Sequence, residues 1–370
     1  MKISLSSSEL LTQLQTATRV ASTRSAVQAL SGVMISAREG SSPELLATDM
    51  EVGLRMPLAA QVERPGSAVL PARLLLDVAR SLSAESLTME LRAAEQDVEL
   101  ICGATTFHLR TLRAEDFPTL PDPSPESRVV LPAAAFVETI SRVARSASRD
   151  ETRPVLTGIL ISASGQELRM VATDSYRLSV KETALVDPIQ GTLEANVPAR
   201  ALQELARIEQ QAGAETVAVS VGQNQAIFEL GDIVLSSRLI DGQFPNYRQL
   251  LPETVDHELR MASAELTEVV RRISLLAQKN APLRLSFSEG TLAVSAQTPD
   301  VGEASEAIPV PYHGELFEIG FNPEFLRDGL ESIDTDELVL KLISPLRPGL
   351  IESPETGDFV YLIMPIRLNV

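Results

Sequence analysis

The chain has 370 residues, 44% of them hydrophobic and 22% charged, the profile of a soluble globular protein with room for two or three domains. A single cysteine, Cys102, excludes an internal disulfide, and neither the serine-rich start after Lys2 nor the most apolar stretch, Pro154 to Ala163, reads as a signal peptide or a membrane span, so a cytoplasmic location is expected. The formal net charge of −18 argues against a nucleic-acid binder unless positive groups are segregated from the acidic ones.

In chain order, the first element is an amphipathic helix over Ser6–Ser22. Its apolar residues are Leu10, Leu14, Ala17 and Ala21, and Ser6 with Glu9 reads as a capping box. Ala47-Thr48-Asp49 follows, and its Thr-Asp pair reads as a turn between strands. A second helix opens at Leu70-Pro71-Ala72-Arg73, with an apolar pair at Leu74 and Val78. Phe117-Pro118 closes this stretch, and the proline-rich Pro118–Pro125 reads as a linker. A third helix, Pro132–Ser148, repeats the spacing of the first with Phe136, Ile140, Val143 and Ala147; Pro132 suits its first turn.

Strand-like runs come next at Leu156–Ser162 and Leu168–Val171, then Ala172-Thr173-Asp174 and a loop from Ala184 to Gly191. The fourth helix opens at Val197-Pro198-Ala199-Arg200 and carries Ala201 and Leu205. Val217–Val221 and Ile233–Leu239 are strands, and Phe244-Pro245 closes the second stretch. The fifth helix, Ala262–Gln278, shows the same spacing again in Leu266, Val270, Ile273 and Ala277. Leu283–Phe287 is a strand, the sixth helix opens at Phe321-Asn322-Pro323-Glu324 with Leu326 and Leu330, and Phe359–Met364 is the last strand.

These landmarks return at an offset of roughly 125 residues, the signature of an internal repeat. Three α+β domains are expected, over 1–120, 129–252 and 253–370, each with helices on one face of antiparallel sheets. Neighbouring units that pair edge to edge leave two raw sheet edges, which invite association. Head-to-tail closure by a further copy removes both edges, and the number of copies stays open.

No enzymatic constellation emerges. His108, His257 and His313 are scattered without ligand spacing, and Cys102 has no such partner nearby. A glycine-rich phosphate loop and a serine nucleophile elbow are both missing. The expectation is a non-catalytic protein without metal or cofactor. Tryptophan is absent and no basic patch is interleaved with aromatics, so stacking on single strands is not suggested.

The residues resemble the beta sliding clamp family of bacterial DNA polymerase III. The resemblance rests on Leu168-Arg169-Met170-Val171-Ala172-Thr173-Asp174-Ser175-Tyr176-Arg177-Leu178, on Leu239-Ile240-Asp241-Gly242-Gln243-Phe244-Pro245-Asn246-Tyr247-Arg248, on Glu318-Ile319-Gly320-Phe321-Asn322, and on Tyr361-Leu362-Ile363-Met364-Pro365-Ile366-Arg367-Leu368. It implies a homodimeric ring of six similar domains of the DNA clamp fold, helices lining the inner face and antiparallel sheets forming the outer rim. Such a ring encircles duplex DNA without sequence preference and is opened by an ATP-driven loader through its delta subunit. It tethers the replicative polymerase alpha subunit, translesion polymerases, and mismatch-repair and ligase proteins through clamp-binding peptides.

By the same resemblance the peptide pocket is formed by Leu156, Thr173, Ser175, Tyr176, Arg177 and Leu178 on the central domain. The C-terminal side supplies Pro245, Leu250, Phe325, Pro348, Ile363, Met364, Pro365, Ile366 and Arg367. Apolar walls with few polar anchors suit a peptide groove. The family usually has Gly where Ser175 stands and often Arg where Gln249 stands, and this chain runs past Leu368 to Asn369 and Val370.

Family position singles out Arg24, Arg73, Arg149 and Arg200 for DNA contact. Other positive groups on the helices or at their ends are Arg19, Arg80, Arg142, Arg145, Arg207, Arg271, Arg272 and Lys279, while the sixth helix is acidic, with Glu324, Asp328, Glu331 and Asp334 around Arg327. The helices sum to near neutral and the remainder carries almost all of the −18, an arrangement that would admit DNA at the centre of a ring and repel it outside. By the same resemblance, ring closure pairs an edge strand of the first domain with one in the third domain of the other copy and would set Phe107 and Leu109 against Leu275 and Leu276; the alternative is that all four are intradomain core. The competing overall reading is an acidic repeat scaffold that binds proteins but never encircles DNA.

Overall fold

Strands run straight into helices through most of this chain. The computed structural model describes residues 1–123, 128–277, 281–299, 301–354 and 357–368. Within them, Ser6, Pro71, Pro132, Pro198 and Ala262 each end a strand. Helices α1 (Ser7–Val20), α2 (Ala72–Ser81), α3 (Ala133–Val143), α4 (Ala199–Ala212) and α5 (Ser263–Ile273) begin at the very next residue. Proline is tolerated at such a boundary because the N–H that it lacks is not needed to continue either element there.

Two sequence expectations are corrected at these joints. Pro132 belongs to the strand Arg128–Pro132, opposite Thr216, and not to the first turn of α3. The capping box does not form, because Ser6 is still paired with Ser86 in the strand Lys2–Ser6. The Ser6 hydroxyl meets that of Ser8 at 2.8 Å instead, and Glu9 accepts from the Ala59 N–H at 3.2 Å. The last helix, α6 (Pro323–Leu330), does carry a side-chain cap: Asn322 Oδ1 accepts from the N–H groups of Glu324 (2.9 Å) and Phe325 (3.1 Å).

The repeated apolar spacing marks the buried faces. Leu10, Leu14, Ala17 and Ala21 are buried, as are Phe136, Ile140, Val143 and Ala147, and Leu266, Val270 and Ile273. The third and fifth helices are shorter than expected, tightening into 3₁₀ turns at Ala144–Ser146 and Ser274–Leu276; Gln278 and Lys279 lie outside the described residues, as do Pro125, Asn369 and Val370. On α2 the stripe is shifted. Leu74 is 48% exposed while Leu75, Leu76 and Val78 are buried. Leu156 lies in the 3₁₀ turn Pro154–Thr157, ahead of the strand Gly158–Ser164.

The chain folds as two compact units, Met1–Ala133 with Arg207–Leu239, and Ala134–Ala206 with Ile240–Val370. In the first unit an eight-stranded antiparallel sheet runs Arg128–Pro132, Thr216–Val221, Gln225–Leu230, Ile233–Arg238, Val52–Pro57, Glu44–Thr48, Gly32–Ala37, Gly66–Pro71. Its joint is the pairing of Val52–Pro57 with Ile233–Arg238, where strands from two successive repeats meet. In the second unit the corresponding sheet runs Thr192–Pro198, Gly158–Ser164, Glu167–Thr173, Arg177–Ala184, Phe359–Ile363, Gly349–Glu352, Glu337–Leu342, His257–Ala262. There the joint is Arg177–Ala184 against Phe359–Ile363. The repeats are thus fused by backbone hydrogen bonding, which covers what would otherwise be bare edges.

Each unit holds a second, smaller sheet. The five-stranded one in the first unit ends on Ala60–Arg64 and Thr105–Arg110, and the four-stranded one in the second unit ends on Gly302–Pro309 and Phe317–Phe321. A connecting segment also packs on each joint. Phe117 and Leu120 bury against Leu46 and Val69 in the first unit. Tyr247, with Phe244 and Leu251, packs on Val171, Leu178, Leu350 and Leu362 in the second.

Candidate functional site

The site begins with a turn that the sequence specifies residue by residue. Between the strands Glu167–Thr173 and Arg177–Ala184, the Thr173 hydroxyl donates to the Arg177 carbonyl at 2.6 Å and accepts from the Ser175 N–H at 3.2 Å. Asp174 Oδ1 accepts from the N–H groups of Tyr176 (2.9 Å) and Arg177 (3.0 Å). This fixes an Asx-type turn in which Ser175 has φ of 77°, a left-handed conformation that costs a residue with a side chain about 1–2 kcal/mol. Glycine is free of that cost but loses more entropy on folding. Ser175→Gly should therefore raise stability by only about 0.5 kcal/mol, readable as a shift in the urea midpoint. An unchanged or lowered midpoint would mean that the 3.2 Å hydrogen bond from Arg153 to the Ser175 hydroxyl outweighs the backbone gain.

The turn delivers Tyr176 to the end of the sheet joint. Arg177 pairs with Ile363, the Met364 N–H donates to the Tyr176 carbonyl at 2.8 Å, and two residues on the Ile366 N–H donates to the Gly320 carbonyl at 2.8 Å. The C-terminal segment therefore stitches the eight-stranded sheet to the four-stranded one. Around this crossing the apolar side chains are partly open: Tyr176 is 64% exposed, Leu250 50% and Met364 39%. Tyr176 stacks on Phe325 with ring centroids 6.4 Å apart. Thr173, Leu178 and Ile363 are buried beneath, Pro348, Pro365 and Ile366 are half-buried, and Pro245 and Arg367 are exposed. Leu156 is buried beside Val155, which faces Gly242 of the connecting segment. Exposed apolar groups on a fixed backbone suit an extended apolar peptide.

Beneath these side chains lies an ion network that the sequence reading missed. Arg177 is 5% exposed; its guanidinium lies 3.0 Å from Asp174 and 2.6 Å from Asp328, and its carbon sits 4.3 Å from the centroid of the Phe325 ring. Burial alone would disfavour its charge, but the hydrogen-bonded Asp328 carboxylate and that of Asp174 more than offset this, holding its pKa above the ordinary arginine value. Burial likewise pushes the Tyr361 phenol up, so that it stays a neutral donor, 2.7 Å from the Phe325 carbonyl. Asp328 also meets Arg145 at 3.4 Å, and Arg145 pairs in turn with Glu331. Arg142 reaches Glu138 (2.8 Å), Asp334 (2.6 Å) and the Ser332 carbonyl (3.0 Å).

The acidic sixth helix is thus the counter-ion of arginines carried by the third helix and the turn after it. Arg142 and Arg145 are engaged there, as Arg80 is with Asp77 and Arg272 with Glu306. Of the residues singled out for DNA, Arg24, Arg73 and Arg149 are exposed and form no ion pair among the described residues, and Arg200 is exposed at the start of α4. Of those singled out for ring closure, Leu109 is buried (6%) in its own sheet and Leu275 is 83% exposed. Phe107 and Leu276 are half-buried. Among the described residues no cluster of acidic, histidine or cysteine side chains is placed to hold a metal, and no helix is long and apolar enough to cross a membrane.

Comparison with known proteins matches the whole arrangement. Profiles of the N-terminal, central and C-terminal domains of the DNA polymerase III beta subunit match residues 1–121, 130–246 and 248–367 in turn. The beta sliding clamp of Synechococcus elongatus is 33% identical over 375 residues, covering all of both chains. Among solved structures, the sliding clamp of Bacillus subtilis superposes with a TM-score of 0.91 at 27% identity, and the Pseudomonas aeruginosa clamp bound to griselimycin with 0.88 at 31%; each comparison covers all of both chains.

Proposed function

Because the chain belongs to the DNA polymerase III beta subunit family, the beta sliding clamps, we propose that two copies close into a ring around duplex DNA and hold DNA-processing proteins there. The observation that carries the ring is that each smaller sheet offers an end strand for pairing, Thr105–Arg110 opposite the Ala60–Arg64 end in one unit and Gly302–Pro309 opposite the Phe317–Phe321 end in the other. Mutual pairing of these edges between two copies leaves neither exposed. Contact with DNA then rests on exposed cations outside the ion network, Arg24, Arg73 and Arg149, with Arg200 at the start of α4 beside them by family position, because sliding needs phosphate contacts that exchange easily. Arg142 and Arg145, tied to α6, contribute little to it.

The pocket built by Tyr176, Leu250, Phe325 and Met364 takes apolar peptide segments of the replicative polymerase alpha subunit, the loader's delta subunit and repair proteins. Clamps of the same fold bound to griselimycin support a ligand site in this family. The protein carries out no reaction of its own in this reading and works in the cytoplasm.

The net charge of −18 favours the rival reading, an acidic scaffold without DNA. Loading onto a nicked circular plasmid by a bacterial clamp loader and ATP, followed by gel filtration before and after cutting the circle, separates the two. The clamp should elute with the closed circle and be lost on linearisation. Equal retention on both forms, or none on either, removes the topological reading.

A further inference from the structure

The turn that opens the peptide pocket occurs a second time, in the other unit. The Thr48 hydroxyl donates to the Val52 carbonyl at 2.8 Å, Asp49 Oδ1 accepts from the N–H groups of Glu51 (3.0 Å) and Val52 (2.8 Å), and Met50 has φ of 78°. The strand that follows pairs with the next repeat in the same register: Val52 lies opposite Ser237 as Arg177 lies opposite Ile363. The Arg238 N–H donates to the Glu51 carbonyl at 2.8 Å, as the Met364 N–H does to Tyr176. Position by position, Glu51 stands where Tyr176 does, and Arg238 where Met364 does.

A cleft of about 270 Å³ opens at this first joint, between the turn, the connecting residues Pro118–Pro121, Asn224 with Gln225, and Ser236–Arg238. Its floor is Leu120, 8% exposed, and a side chain at Gly53 would strike Leu120 at 2.9 Å and the Ser236 hydroxyl at 2.6 Å. Met50, 57% exposed, stands at the lip. The chemistry differs from that of the other joint. Among the described residues that line it there is no aromatic side chain, and the charged groups are the guanidinium of Arg238 and the carboxylate of Glu51, with the amides of Asn224 and Gln225 beside them. Arg238 is exposed and forms no ion pair among the described residues. An exposed guanidinium without an ion-pair partner calls for a carboxylate, the acceptor it binds most strongly, and the neighbouring amides can donate to the same group.

We propose that this cleft is a second ligand site, taking a short extended peptide in which an acidic side chain adjoins a leucine-sized one. The carboxylate meets Arg238 and the neighbouring amides; the apolar side chain lies on Met50 and Leu120. The adjoining apolar floor favours a peptide over a free dicarboxylate, and the volume suits about two side chains. The site rests on residues of the first unit alone, and it stands whether or not the Tyr176–Met364 pocket binds anything.

The methionines provide the test, because Met50 reports on this cleft and Met364 on the other pocket. The full chain carrying ¹³C-methyl methionine is titrated with the peptide Gly-Glu-Leu-Glu-Gly, and the Met50 signal is identified by its loss in Met50→Leu. A saturable shift of the Met50 methyl is expected, weakened about tenfold or more by Arg238→Gln and largely restored by Arg238→Lys. Gly-Lys-Leu-Lys-Gly should leave the signal in place. A still Met50 methyl, a shift at Met364 alone, or equal affinity in Arg238→Gln would overturn the site. Glutarate binding as tightly as the peptide would overturn its assignment to peptides.

Discussion

Replacing Asp328 with alanine should cost about 3 kcal/mol of stability and weaken the pocket that it underlies. Asp328 lies 2.6 Å from the guanidinium of Arg177, a residue 5% exposed, so its removal leaves Arg177 with Asp174, at 3.0 Å, as its one remaining carboxylate among the described residues. The second loss is Arg145, which would keep Glu331 alone. Taking away one partner of a buried pair is expensive because the other charge stays out of water, whereas exposed pairs contribute little. Arg327→Ala, which removes a partly exposed partner of Glu331 at 3.9 Å, is the matched control and should stay within about 0.5 kcal/mol of the parent.

The pocket follows through Phe325. Its ring lies under Arg177 and beside Tyr176, and its carbonyl accepts from Tyr361. A guanidinium released from Asp328 no longer holds that ring in place. Fluorescence anisotropy with a clamp-binding peptide should then show a loss of affinity in Asp328→Ala and none in Arg327→Ala. The urea midpoint of Asp328→Ala should fall equally at low and high salt, since buried pairs are poorly screened. A midpoint within 0.5 kcal/mol of the parent would show that water reaches the network and that Asp328 does not support the pocket.

Why Asp328 escaped the sequence while Leu10 or Phe136 did not is a matter of which forces leave a local trace. A buried helical face recurs every three or four residues, so Leu10, Leu14 and Ala17, and their counterparts in the third and fifth helices, could be read directly. The turns at Thr48 and Thr173 were legible for the same reason, since their hydrogen bonds close within five residues. The acidity of the sixth helix was visible, but its meaning was not. Its partners Arg145 and Arg177 stand more than 150 positions earlier in the chain, and no pattern of spacing links such residues. The strand Lys2–Ser6 was hidden differently: its alternation of Ile3 and Leu5 with polar neighbours is too short to compete with the helical period that starts beside it. The proposed peptide site, drawn from strand ends that meet through the pairing of Arg177 with Ile363, leaves no local pattern and is carried by the family resemblance.

The edges offer the other large effect. If the strands Thr105–Arg110 and Gly302–Pro309 join two copies, Leu275, 83% exposed in one chain, is covered on assembly. Aspartate there leaves the fold of the single chain intact, because the position is open to water, but it places a carboxylate in the closed joint. Burying an unpaired charge costs several kcal/mol, and a loss of about 4 kcal/mol is a roughly 10³-fold weaker dimer. Native mass spectrometry of Leu275→Asp should then show the 40.0 kDa chain where the parent shows twice that mass. The same variant should fail to stay on a closed DNA circle while still binding a clamp peptide, because the Tyr176–Met364 pocket lies within one chain. A Leu275→Asp protein that keeps the parent's mass would remove Leu275 from the joint, and a parent that is itself a single chain at micromolar concentration would remove the ring.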